Sequence, residues 1–193
     1  MKYKTLYADP PWHFDDELDK TRKKPYPTMN LSELKKLPIN RIIEDEAHIY
    51  LWSTSAHVHE AIHLIEAWGF EYKLIIPWIK LTKKGKLHFG MGHYFRHCME
   101  PCLFGVRGAM PTLTKNTRNI LYAKTPGLHS AKPDEMYNLI EKQSPRPRLE
   151  LFSRNKREDW TMIGDEIDGL DIRKALDNLL GLITGQQTLT KRE

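Results

Sequence analysis

Lys4-Thr5-Leu6-Tyr7-Ala8-Asp9-Pro10-Pro11-Trp12 begins as an apolar run and stops at two prolines. The run from Lys4 to Ala8 predicts a short strand. Pro10 restricts Asp9 to extended backbone, Pro11 does the same to Pro10, and neither ring nitrogen has a hydrogen to donate. The chain thus leaves the strand stiffly, with the Asp9 carboxylate and the Pro10 carbonyl as neighbouring acceptors and the Trp12 ring beside them. Two acceptors and an aromatic plate suit an exocyclic amino group on a flat nucleobase. Its lone pair is conjugated into the ring, and accepting both N–H bonds localises that pair and aims it at an electrophile. Taken alone, the tetrapeptide has a second, weaker reading as a proline-rich turn after an edge strand, with Asp9 an exposed acid and Trp12 in the core.

Outward from this turn, strands and helices alternate. Helices are expected over Asn30–Leu37, ended by Pro38, and from a Ser55 cap through a stripe of Val58, Ala61, Ile62, Ile65 and Trp68 closed by Gly69. Two more follow, from Pro133-Asp134-Glu135 to about Gln143 and over Ile172–Ile183. Strands are expected at His48–Trp52, Tyr72–Ile79, Cys102–Val106, Asn119–Ala123, Leu149–Phe152 and Trp160–Ile163. Residues 81–97 read as a long loop, of a kind that is functional or disordered in compact domains, and 107–118 as a polar, basic connector. This alternation predicts an α/β domain with a mainly parallel sheet and helices on both faces, over residues 1–185, followed by a polar tail at 186–193.

The 193 residues are 40% hydrophobic and 28% charged, the balance of a globular domain. No apolar run approaches the length of a membrane span, no signal-peptide pattern opens the chain, and the two cysteines exclude a disulfide scaffold. A cytoplasmic protein is expected. The net charge of +5 is regional: Lys73–Lys124 holds ten basic residues and one acid, Glu100, a local +9 against −4 for the remainder. Trp78, Phe89, Tyr94, Phe95 and Phe104 are interleaved with those cations, the pattern either of a surface for phosphates and unstacked bases or of a solvated basic face with some of those aromatics in the core.

Asp9-Pro10-Pro11-Trp12 is joined by Pro77-Trp78-Ile79-Lys80, Tyr94-Phe95-Arg96, and Glu100-Pro101-Cys102-Leu103-Phe104-Gly105. Further on stand Lys132-Pro133-Asp134-Glu135-Met136-Tyr137, Leu149-Glu150-Leu151-Phe152-Ser153-Arg154 and Trp160-Thr161-Met162-Ile163-Gly164-Asp165-Glu166. In these blocks, which span most of residues 3–169, the chain resembles the S-adenosylmethionine-dependent adenine N6-methyltransferases that carry DPPW. That family includes the catalytic subunit of the eukaryotic messenger-RNA methyltransferase and smaller bacterial and phage relatives. The resemblance implies a Rossmann-like methyltransferase sheet, permuted so that the catalytic strand precedes the cofactor-binding strand.

It also implies roles by position. Asp9, Pro10, Pro11 and Trp12 form the catalytic turn, with Asp9 also at the cofactor, and Lys132 meets the cofactor's carboxylate. Glu150, Phe152, Arg154 and Asn155 hold S-adenosylmethionine, while Asp165 and Glu166 hydrogen-bond its ribose and adenine ends. Asp165 stands where many relatives have Asn. For the nucleic acid, the candidates are Lys80, Tyr94, Arg96, Arg107, Lys115 and Arg118. The expected reaction is methyl transfer to adenine N6 on a base flipped or taken from a single strand. DNA is favoured over RNA as the polymer, with a homodimer or a partner subunit open.

Two other readings compete. A silent, nucleic-acid-binding relative would have no need of the Asp9 constellation. His59-Glu60-Ala61-Ile62-His63 matches the HExxH zinc-hydrolase pattern, but third ligands of such sites normally come from a separate segment and no extended pattern follows. Cys98 and Cys102 make half a metal site at most, so no metal is expected, and Glu100 between them reads as a structural or supporting acid.

Overall fold

The computed structural model describes residues 1–13, 27–92, 94–127 and 131–190, without the side chains of 186–190. Its strands are β1 (Tyr3–Ala8), β2 (Ile43–Trp52), β3 (Glu71–Leu81), β4 (Met99–Arg107), β5 (Leu121–Lys124), β6 (Arg148–Leu151) and β7 (Trp160–Ile163). The α-helices are α1 (Leu31–Lys35), α2 (Ile39–Ile42), α3 (Val58–Ala67), α4 (Asp134–Gln143), α5 (Asp165–Asp168) and α6 (Ile172–Thr190). All seven strands form one sheet in the order β5-β3-β4-β2-β1-β6-β7.

The predicted alternation is realised as a mixed sheet. The β1–β2, β1–β6, β6–β7 and β3–β5 pairs are parallel, whereas β4 runs antiparallel between β2 and β3. The reason lies in the connection. A parallel return needs a crossover of a dozen or more residues, usually helical, and the segment between β3 and β4 folds back as a loop instead. Local boundaries also differ from expectation. Ser55 opens a 3-10 turn rather than capping α3, which starts at Val58 with His57 as its N-cap. β6 stops one residue before Phe152, and α6 continues past Ile183 to Thr190.

Period-two alternation divides the core between the two faces. Leu6 and Ala8 of β1, Ile49 and Leu51 of β2, and Leu149 and Leu151 of β6 meet α1, α2, α3 and α6 on one side. Tyr7, Tyr50 and Trp52 point the other way and pack with Met136 and Ile140 of α4. Helix α1 is anchored by a capping box between Asn30 and Glu33. Among the described residues, no helix is long and apolar enough to cross a membrane.

The winding of the chain places the site. From β1 it proceeds to β2 on one side, and after α4 it returns to the other side of β1 as β6 and β7. Connections leave β1 and β6 in opposite directions, so a crevice opens beyond their carboxyl ends, where open α/β sheets bind ligands.

Candidate active site

Asp9 follows β1 directly and stands across the crevice from the residues that follow β6. The turn after it is held by backbone bonds: Trp12 N–H donates to the Pro10 carbonyl at 2.8 Å, and Met29 N–H donates to the Pro11 carbonyl at 2.8 Å. A carbonyl has two lone pairs, so the Pro10 oxygen retains a second acceptor position. The Trp12 side chain is buried, 5% exposed, with its indole N–H donating to the Trp52 carbonyl at 3.0 Å and its ring stacked on His57. It is a fixed wall of the site.

A chain of charges starts at Asp9. Lys132 Nζ donates to Asp9 Oδ2 at 2.6 Å, lies 3.7 Å from Glu100 Oε2, and sits 5.4 Å from the centre of the Trp52 ring. Glu100 in turn pairs with Lys80. Burial disfavours the Lys132 cation, but the Asp9 and Glu100 charges and the Asp9 hydrogen bond outweigh it, and its pKa is raised. Glu100, read from sequence only as a supporting acid, is thus the link between Lys80 and Lys132. The signal for it was its isolation as the one acid among ten basic residues.

Asp9, Trp12, Glu100 and Lys132 border a cavity of about 550 Å³ that also receives Phe152, Arg154, Asp165 and Glu166. Phe152 has φ 62°, a left-handed conformation uncommon for a side-chain-bearing residue, and this turns the chain sharply off β6. Gly164, after β7, lies so close to the Ser153 backbone that a Cβ there would be 2.1 Å from the Ser153 oxygen. Arg154 Nε lies 3.5 Å from Glu166 Oε1, and Asp165 Oδ1 accepts the Glu166 N–H at 3.0 Å. An adjoining space of about 150 Å³ is lined by Glu150 and Asn155, and shares Asp9, Lys132, Phe152 and Arg154 with the first.

Glu150 is 7% exposed, and the Tyr137 hydroxyl approaches both of its oxygens, at 2.8 and 3.1 Å. Burial pushes its carboxyl up to about 8; the Tyr137 hydrogen bonding opposes this and the Asp9 charge adds to it. A carboxyl whose pKa is raised by folding holds its proton more tightly in the native state. Its stabilising contribution is complete below the ordinary value of 4.5 and is lost as the pH rises through about 8. Glu150→Gln stays neutral throughout, so its melting temperature should gain on that of the wild type between about pH 4.5 and about pH 8 and keep a steady offset above that. Melting curves that keep a constant offset across this interval would show that Glu150 does not titrate there.

The nucleic-acid candidates separate in space. Lys80 joins the charge chain, and Tyr94 and Arg96 lie exposed on the loop that links β3 to β4 at the same end of the sheet. Arg107 lies at the other end. Antiparallel β4 carries the chain about 30 Å away from the site over its length, and Arg107 there pairs with Asp45 at 3.6 Å. The connector holding Lys115 packs at that far end: Leu113 N–H donates to the Gln143 carbonyl at 2.9 Å, and the Met110 carbonyl meets His48 Nε2 at 3.1 Å. Arg118 is exposed at the end of this connector, just before Asn119, whose amide donates to the Ile75 carbonyl. Arg107 and Lys115 are therefore not brought to Asp9. His59 and His63 project from α3 with ring centres 4.4 Å apart, and among the described residues no three His, Cys, Asp or Glu side chains converge to hold a metal.

The MT-A70 family model matches residues 3–166. The N(6)-adenosine-methyltransferase catalytic subunit METTL3 of Homo sapiens is 31% identical over 176 residues, covering 89% of this chain and 29% of its own length. The N(6)-adenosine-methyltransferase MT-A70-like protein of Drosophila melanogaster is 31% identical over 174 residues, 88% of this chain and 28% of its own. The Type II methyltransferase M.MunI of Mycoplasma sp is 32% identical over 189 residues, 86% of this chain and 78% of its own.

Proposed function

The chain belongs to the MT-A70 family, and on that premise we propose that it transfers the methyl group of S-adenosylmethionine to N6 of adenine in DNA. The observation that carries the reading is the Asp9–Lys132 ion pair at the carboxyl end of β1, sharing one cavity with the turns after β6 and β7. DNA is favoured because the match extends along 78% of a Type II methyltransferase, a class that modifies DNA, but along only 29% of the adenosine methyltransferase catalytic subunit.

The donor set fits the cofactor. Lys132 would receive a carboxylate and Asp9 an ammonium, so a zwitterionic amino-acid end suits the pair. Asp165 and Glu166 would accept from the ribose and adenine ends, and Phe152 and Ile172 offer apolar surface in a cavity of about 550 Å³. Glu150, Arg154 and Asn155 would close the adjoining space. When bound, the cofactor supplies a methyl group already activated on a sulfonium. The protein's own part is to position the nucleophile. The Asp9 carboxylate and the second lone pair of the Pro10 carbonyl accept the two N–H bonds of the adenine amine, localising its lone pair toward the methyl. Pro10 and Pro11 hold those acceptors rigid, Trp12 walls the base, and Lys80 and Glu100 tie the nucleic-acid loop to Lys132.

The test is incubation with methyl-tritiated S-adenosylmethionine and four polymers, single- and double-stranded DNA and RNA, followed by mass spectrometry of the nucleosides. N6-methyladenine from DNA is expected. Label confined to RNA would move the substrate to RNA. No transfer to any polymer, with cofactor binding intact by calorimetry, would leave a nucleic-acid-binding subunit.

A further inference from the structure

The loop between β3 and β4 carries an exposed apolar tip that the charge chain at Asp9 does not use. Leu87, Phe89, Met91, Tyr94 and Phe95 are 60%, 75%, 93%, 96% and 84% exposed. Isolated apolar residues on a surface are ordinary, but five within nine positions form a patch that marks an interaction site. The described residues at the base of the loop are held together. Thr82 N–H donates to the Lys86 carbonyl at 2.8 Å, Gly90 N–H to the His97 carbonyl at 3.0 Å, and Leu81 bridges Leu87. A Cβ at Gly92 would stand 2.1 Å from the Phe95 oxygen, so a glycine there lets the two strands of the loop close on each other. The tip is presented by a folded support.

Position and charge identify the occupant. The loop springs from Lys80 and Glu100, and Glu100 borders the cavity. Across residues 82–98 there are four cations, Lys83, Lys84, Lys86 and Arg96, and no acid, and Arg96 lies 5.3 Å above the Phe89 ring. Lysine is depleted from the apolar centre of protein interfaces, whereas apolar side chains framed by cations match bases framed by phosphates. An adenine inside a duplex must leave the stack to reach Asp9, and the vacated space costs stacking energy unless an apolar side chain fills it.

Resting on the methyltransferase reading above, we propose that this tip is a wedge: Met91 and Phe95 enter the base stack of double-stranded DNA and hold it open while the adenine occupies the cavity. The substrate is then a duplex, opened by the enzyme itself.

The test pairs the double variant Met91→Ser/Phe95→Ser with Phe95→Leu, which keeps apolar bulk. Each is assayed with tritiated cofactor on mixed-sequence DNA, native and heat-denatured, and permanganate oxidation of unstacked thymines is mapped on the native DNA. The double variant is expected to lose about tenfold or more on native DNA, to stay within about twofold on denatured DNA, and to lose permanganate reactivity that the wild type and Phe95→Leu retain. Equal loss on both DNAs, no loss on native DNA, or retained thymine reactivity in the double variant would overturn the wedge. So would a wild type that sediments as a dimer and a double variant that sediments as a monomer, because a second copy would then cover the tip. If the wild type acts on native DNA alone, the permanganate pattern decides. A wild type silent on both DNAs, with label on RNA or none at all, would instead sink the DNA reading on which the wedge rests.

Discussion

Asp9→Ala is expected to lower the rate of methyl transfer by about a thousandfold while the fold persists, since a preorganised hydrogen-bonding group aimed at the reacting centre contributes on this scale. In the proposed reaction the carboxylate would be the first acceptor for the adenine amine, and the Pro10 carbonyl alone cannot hold both N–H bonds. The substitution also removes from Lys132 the carboxylate that stands 2.6 Å away, while Glu100 lies at 3.7 Å. The forces that raise the Lys132 pKa are thereby weakened while burial still opposes its charge. Single-turnover rates separate this loss from binding, and calorimetry is expected to show cofactor affinity within about tenfold of the wild type. A fall in affinity as large as the fall in rate would mean that Asp9 serves the cofactor first and the nucleophile second.

Lys132→Met is expected to weaken cofactor binding by about a hundredfold, with the rate at saturating cofactor falling as well. A lost charge-assisted bond supplies part of this, and the rest comes from Asp9 and Glu100, which then face the site without their common cation. The two carboxylates are only 29% and 28% exposed, so solvent does not fully replace Lys132. Lys132→Arg should recover part of the affinity, as it keeps the charge and alters its shape. Because the Lys132 pKa lies above its ordinary 10.5, wild-type binding should show no ionisation of this lysine through the neutral range. Unchanged affinity in Lys132→Met would remove the lysine from the cofactor site and leave it as a support for Asp9.

The local features of this molecule were legible because each is set by a few neighbouring residues. The strand before Asp9, the stiff exit through Pro10 and Pro11, and the helix starting at Pro133-Asp134-Glu135 follow from ring geometry, side-chain alternation and end charges. The same locality explains the errors at boundaries. Leu149–Phe152 has strand composition throughout, yet the chain turns off the sheet at Phe152, whose φ is 62°, and Ser153 N–H bonds the carbonyl of Ile163, the last residue of β7. No residue near position 152 announces that partner.

The sequence by itself thus determined the α/β class, the Asp9 turn and the basic, aromatic character of the region from Lys73 to Lys124. Only the tertiary structure decided which of these act together. It joined Asp9 to Lys132 across 123 positions, placed Glu100 between Lys80 and Lys132, and buried Glu150 against Tyr137. By running β4 antiparallel it sent Arg107 to one end of the sheet and left Tyr94, Phe95 and Arg96 at the other. Burial, charge pairing and strand direction depend on neighbours in space, and those are settled only when the whole sheet closes.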